Sequence, residues 1–159
     1  MEKIIVGIAD GKVAESPAVL ISYALGSCVG ICLYDHQLKV AGMLHILLPY
    51  QRTAVNQNNV YQFADTGIKR LLQELMAGYG AKRERLVAKI AGGAEMFQQA
   101  QAETGIGEKN IKAVKAVLKS EGIPIVAEDI GMSHGRTILF SVQTGKLEVR
   151  GINRKTKLL

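Results

Sequence analysis

The residues best suited to chemistry lie in one stretch, LGSCVGICLYD (Leu25–Asp35), followed by GMLHILLP (Gly42–Pro49). The only two cysteines of the chain, Cys28 and Cys32, are four apart within it, and His45 follows. Two thiols and an imidazole suit a metal site, a disulfide, inert core, or a nucleophile with its base. VGICLY is rich in β-branched and aromatic residues, which predicts a strand. Four residues of strand span about 13 Å at ~3.3 Å each. Both sulfurs cannot then reach one zinc ion through bonds of about 2.3 Å. The same extension separates the Cα atoms beyond the ~7 Å limit for a disulfide. Cys28, Cys32, His36 and His45 are therefore a zinc set on paper only.

The nucleophile reading depends on register. If the hairpin turns on Asp35–Leu38, Tyr34 faces Lys39 and Cys28 lies opposite His45. Directly opposed side chains have Cβ atoms about 4.5–5.5 Å apart, within reach for a thiol and an imidazole. A loop longer by one residue would send the two to opposite faces. A free thiol with a pKa near ~8.5 needs a base close by to act at neutral pH. Gly26 and Ser27 are small enough to let backbone N–H groups approach a reacting carbonyl. The competing reading stays open on spacing alone, because a cysteine on an apolar strand is usually inert core. Cys32, between Ile31 and Leu33 and with no base assigned, is expected to be core.

These residues need elements to position them. KIIVGI (Lys3–Ile8) and Val19–Ser22 are strand candidates, and Val29–Tyr34 with Val40–Leu48 form the hairpin. The polar loop Gln51–Asn59 supplies an N-cap from Asn58 or Asn59. Tyr61, Ala64, Ile68, Leu71, Leu72 and Leu75 repeat at helical spacing, with Gly78 or Gly80 as the stop. Leu86–Ala91 is a strand running into Gly92–Gly93 and a short helix from Ala94 to about Gln99. Ile111, Val114, Val117 and Leu118 mark a second long helix closed by Gly122 and Pro124. Ile125–Glu128, Thr137–Val142 and Leu147–Arg150 complete the strands, with Thr144–Gly145 as the last turn. Strands outnumber helices without strict alternation, so the expected class is α+β with mixed sheets.

At 159 residues, without repeats or a linker, the chain is expected to be one domain, with a basic tail over about 151–159. No run approaches the ~20 apolar residues that span a bilayer. MEKIIVGIAD does not read as a signal peptide. With only two cysteines, the expectation is a reducing cytoplasm. The net charge of +6 permits an acidic protein or a nucleic acid as partner. The positive residues are dispersed, however, and few aromatics are present to stack bases. Nucleic acid is accordingly not expected.

Elsewhere, Gly92–Gly93 could cradle an anion at a helix start, though tight packing at a strand-to-helix turn explains the pair as well. Asp65 reads as a helix cap or dipole partner. Glu128 and Asp129 are neighbours on a strand and so face opposite ways, which disfavours a paired acid–base role. Arg136 is a candidate clamp near Asp129 or on substrate. His36 and His134 read as loop residues.

LGSCVGICLYD with AGMLHILLP resembles the CheD family, the chemoreceptor glutamine deamidases of bacterial and archaeal chemotaxis. FADTGIKRLLQEL, AKIAGGAEMF, the Gly107-x-x-Asn110 element, EDIGMSHGRTILF and TGKL resemble further family blocks, in family order. The resemblance implies helices and mixed sheets in α/β/β/α layers, as in the catalytic domain of cytotoxic necrotizing factor. It implies a protein-glutamine glutaminase with its nucleophile on Cys28 and its general base on His45. The third member, a threonine in the family, falls on Ser22. Gly26, Ser27, Gly92, Gly93 and Arg136 are the candidates for substrate or oxyanion contacts. No metal or organic cofactor is implied. The implied partners are methyl-accepting chemoreceptors as substrate and a CheC-type phosphatase as regulator. A non-catalytic module docking on either is the rival reading. Ala24 for a usual glycine, Lys109 for a usual arginine and Met132 for the second glycine of an EDxGG loop depart from the family pattern.

Overall fold

The hairpin around the cysteines is the centre of the architecture. In a computed structural model of the chain, residues 1–53, 58–96, 105–151 and 156–159 are described. One sheet, sheet B, has β2 (Asp10–Glu15), β5 (Val40–Ile46), β4 (Val29–Asp35), β6 (Leu86–Gly92) and β7 (Ile125–Ile130), in that spatial order. The other, sheet A, has β1 (Glu2–Ile5), β3 (Ala18–Leu25), β8 (Arg136–Ser141), β9 (Leu147–Gly151) and β10 (Lys157–Leu158). Each sheet has one parallel pair, β1 with β3 and β6 with β7, and is otherwise antiparallel. The class is α+β with mixed sheets, as expected.

Two cores meet on sheet B. Helices α1 (Ala64–Gln73) and α2 (Ile106–Ser120) lay Ile68, Leu71, Leu72, Val114, Val117 and Leu118 against Val29, Ile31, Leu33, Leu44 and Ile46. The opposite face of the same strands turns Cys32, Tyr34, Ala41 and Met43 toward Leu20, Leu25, Ile138 and Phe140 of sheet A. Every residue of β4 and β5 is thus buried. That explains why their sequences read as unbroken apolar runs rather than alternating ones. Gly42 makes close packing possible, since a Cβ there would stand 2.7 Å from Leu71 Cδ1. Among the described residues both α-helices cover sheet B. A helical layer over sheet A, the fourth layer implied by the family resemblance, is not found among them.

The hairpin register differs from the expected one by two. Asp35 pairs with Val40 and Gly30 with His45, so the loop is His36–Lys39 and Asp35 belongs to the strand. The cause is the Asp35 carboxylate, fully buried at the strand end. Arg85 grips it through Nε and Nη2, and its Oδ1 accepts the N–H of Gln37 and Leu38 to close the turn. Burial would raise its pKa, but Arg85 and the N–H groups of Lys82 and Leu38 hold the carboxyl below its ordinary range. The loop keeps an even length, so the faces assigned to Cys28 and His45 survive.

Other differences are local. β2 was not expected, because DGKVAE carries only a short apolar alternation; it pairs along the whole edge of β5. The stretch expected as one helix from Tyr61 begins as a 3-10 turn over Val60–Gln62, capped by the Asn59 side chain on Tyr61 N–H, before α1. Ala94–Met96 is not helical, and the rest of the helix expected there lies outside the described residues. Much of the expected basic tail also lies outside them.

Candidate active site

The site is built across the seam between the sheets. On β4 and β5, positions 28, 30, 45 and 43 share the face that looks toward sheet A. Gly30 is directly opposite His45, and Cys28, just before β4, lies one diagonal step along. Cys28 is therefore not directly opposed to His45, as the expected register would have it. At Gly30 a Cβ would approach Ile138 Cδ1 to 2.5 Å, so the absence of a side chain there lets Ile138 of sheet A pack close against β4.

Ser22 comes from sheet A. It lies on β3 at an irregularity in the pairing with β8, between Ser22 and Leu25. Ala24 in that irregularity has φ of 59°, a left-handed conformation that an L-residue adopts at a cost. Ser22 and His45 are both fully buried, and Ser22 Oγ stands 2.8 Å from His45 Nδ1. The same hydroxyl donates to Val6 O at 2.8 Å. A carbonyl can only accept, so the hydroxyl proton is committed to Val6 and Oγ must accept from Nδ1–H. This places the proton on Nδ1 and leaves Nε2 with a bare lone pair. Nε2 is buried and has no hydrogen-bond partner among the described residues. A buried imidazole nitrogen left without a partner has a lone pair available to accept a proton.

Electrostatics point the same way. Burial drives the His45 pKa down to about 4, so the ring is neutral at physiological pH. Burial also raises the Cys28 thiol above its ordinary value, an effect its own backbone N–H partly offsets. The resting pair is thiol and imidazole rather than thiolate and imidazolium. Burial disfavours the charged form of both groups.

The remaining candidates surround Cys28. Gly93 N–H donates to Cys28 O at 2.8 Å and Ala94 N–H to Gly26 O at 2.9 Å. Gly92, with φ of 111°, lets these backbones meet; a Cβ there would stand 2.3 Å from Cys28 O. The Gly93 N–H is thus spent on the Cys28 carbonyl rather than offered to an anion. Gly26 and Ser27 are half-buried, and Met96 covers Gly26. Arg136 is buried, with Nε on Asp129 and Nη1 on Gly131 O, so it braces the 129–132 loop behind the site. Burial raises the Asp129 pKa, and Arg136 and Lys157 overcome this to hold it below its ordinary value. Glu128 pairs instead with Lys115.

Sequence reasoning did not assign the Val6 carbonyl or the roles of Gly30 and Asn110. Asn110 is fully buried in the first turns of α2, and its Nδ2 donates to both Ser27 O and Leu47 O. A poor helix former inside a helix is the signal that could have flagged it. Among the described residues no group of three or more His, Cys, Asp or Glu is placed to hold a metal ion, and both cysteines are free. No helix among them is long and apolar enough to cross a membrane.

A family model described as CheD chemotactic sensory transduction matches residues 47–151. That span holds Gly92, Gly93, Asn110 and Arg136 and begins just after His45. Relatives extend the similarity over nearly the whole chain. A protein of Caldanaerobacter subterraneus subsp. tengcongensis named "Probable chemoreceptor glutamine deamidase CheD" is 49% identical, over 97% of this chain and 96% of its own. Proteins of the same name from Lachnoclostridium phytofermentans and Haloarcula marismortui are 44% and 43% identical. The first is matched over 98% of both chains, the second over 96% of this chain and 87% of its own. Among solved structures, a Neisseria meningitidis protein of the DUF152 family superposes with a TM-score of 0.56 at 10% identity. It covers 89% of this chain and 75% of its own, and so has the same fold.

Proposed function

The chain belongs to the CheD family, and we propose that it is a chemoreceptor glutamine deamidase whose catalytic residues are Cys28, His45 and Ser22. The observation that carries this is the Val6–Ser22–His45 relay, which fixes the imidazole tautomer and leaves Nε2 free on the face that holds Cys28. The Cys28 sulfur attacks the carbonyl carbon of a glutamine side chain while His45 Nε2 takes the thiol proton. The S–C bond forms and the oxyanion is met by backbone N–H groups at Ser27 and Cys28. On collapse the C–N bond breaks, and His45 returns the proton to the departing ammonia. A water deprotonated by His45 then cleaves the thioester, leaving glutamate and free thiol. Ser22 accepts from Nδ1–H throughout, which stabilises the imidazolium each time it forms.

The substrate is the helical signalling region of a chemoreceptor, met in the cytoplasm. A net charge of +6 speeds encounter with an acidic helical surface. A CheC-type phosphatase is the regulatory partner that the family resemblance implies. The test is mass spectrometry of receptor peptides before and after incubation, with ammonia release measured in parallel. Conversion of Gln to Glu by the wild type and none by Cys28→Ala is expected. A Cys28→Ala protein that deamidates at the wild-type rate would refute the assignment.

A further inference from the structure

The backbone around the nucleophile is held at three consecutive carbonyls. Gly26 O accepts from Ala94 N–H, Ser27 O from Asn110 Nδ2 at 3.0 Å, and Cys28 O from Gly93 N–H. The only cis peptide bond among the described residues is Ser16–Pro17, so these three peptide units are trans. In a trans unit the N–H points opposite to the C=O. Gly26 O and Cys28 O point sideways, toward the end of β6. Ser27 O alone points toward α2, which lies on the outer face of sheet B. The Cys28 N–H must then point away from α2, to the face that carries His45 and Ser22.

We infer that Asn110 is a positioning residue that aims the Cys28 N–H at the oxyanion of the reacting carboxamide. This rests on the deamidase reading above and deepens it. The same Nδ2 also donates to Leu47 O at 2.9 Å, two residues beyond His45. One nitrogen with two N–H groups therefore ties the nucleophile's loop to the strand of its base. The reverse amide orientation would set Oδ1 against two carbonyl oxygens, so the network determines which atom is nitrogen. Oδ1 has no partner among the described residues, and asparagine is a poor helix former. Neither feature serves the helix. The start of α2 is packed tightly enough to hold Asn110 in place. A Cβ at Gly107 would stand 2.5 Å from Ala94 O and 2.6 Å from Gly93 O, backbone next to the groups that hold Gly26 and Cys28.

The test separates carbonyl chemistry from simple thiol reactivity. A receptor peptide in which an aldehyde replaces the glutamine carboxamide adds the Cys28 thiol across C=O, and its oxygen takes the oxyanion position. Iodoacetamide alkylates the same sulfur with no oxyanion. For Asn110→Ala, kcat and aldehyde affinity should each fall by about 10- to 100-fold, short of the ~10²–10³ lost with a whole donor. KM should stay within about twofold, and Cys28 alkylation within about threefold, of wild type. Asn110→Ser, which keeps one donor, should fall between the two and serves if the alanine variant does not fold. Val117→Ala, a buried change further along α2, should lower stability without changing kcat. An unchanged kcat in Asn110→Ala, or alkylation falling in step with kcat, would overturn the role of Asn110. Full deamidation by Cys28→Ala would instead overturn the deamidase reading itself.

Discussion

Cys28 and Cys32 share one strand direction and one face and differ in most things that govern a thiol. Cys32 sits mid-strand between Met43 and Lys89, 1% exposed in the inter-sheet core, where burial lifts its pKa far above the ordinary range despite Lys89. Cys28 sits where the strand begins, half-buried, with small residues before it and the glycine pair of β6 against its carbonyl. By register His45 is one diagonal step from either cysteine, so it is burial and the strand end, rather than spacing to the imidazole, that separate the two. The strand supplies both side chains. Its open end, where the ladder gives way to loops, leaves only one of them half-exposed.

The contrast can be broken in several ways. Its largest consequence is labelling: iodoacetamide at neutral pH should modify Cys28 at least about 100-fold faster than Cys32. Equal labelling, followed by peptide mapping, would erase the distinction. Next is pH. His45 has its folded pKa depressed from 6.5 to about 4, so the unfolded chain binds the extra proton between those values. Stability should therefore fall as pH drops through that window, by about 3 kcal/mol between pH 7 and pH 4 from this residue. Urea titrations of wild type and His45→Gln should diverge accordingly, and parallel curves would contradict a buried neutral imidazole.

Smaller effects sharpen the site. Ser22→Ala removes the acceptor for Nδ1–H and should lower kcat by about tenfold or more, with KM little changed. Ser22→Thr should retain activity, since threonine keeps the hydroxyl and stiffens χ1. The smallest expected effect is at the bulge that presents Ser22. Ala24→Gly relieves a φ of 59° and should raise stability by about 1 kcal/mol in thermal or urea unfolding.

Much of this was legible in the chain. VGICLYD and VAGMLHI announce a hairpin, and an even loop, supposed there and present in the fold, puts Cys28 and His45 on one face. Helical spacing locates α1, which continues as a π-helical stretch over Glu74–Gly78, and α2, and Gly80 and Gly122 follow their ends with positive φ. The register itself was not legible, because Asp35 reads equally well as a turn residue until Arg85, fifty positions away, buries it. β2 was missed for a similar reason: its pairing with β5, rather than its own pattern, makes it a strand. Arg136 stood as a clamp on Asp129 or on substrate, and only the fold shows Nε on Asp129 and Nη1 on Gly131 O, with Nη2 buried and without a partner among the described residues.

The sequence by itself determined which side chains share a strand face, because side-chain alternation along a strand is a property of the backbone. Together with the family blocks, it also named Cys28, His45 and Ser22 as the candidates. The tertiary structure decided how they are arranged. Ser22 lies 23 residues before His45 and on another sheet, and only packing of the two sheets brings the hydroxyl to 2.8 Å from Nδ1. Val6 O, which accepts that hydroxyl's proton, and Asn110, which donates to Ser27 O, stand 16 and 83 residues from their partners. Hydrogen bonds across such separations form only where burial of the two cores has already brought the chain together, and no local pattern encodes them.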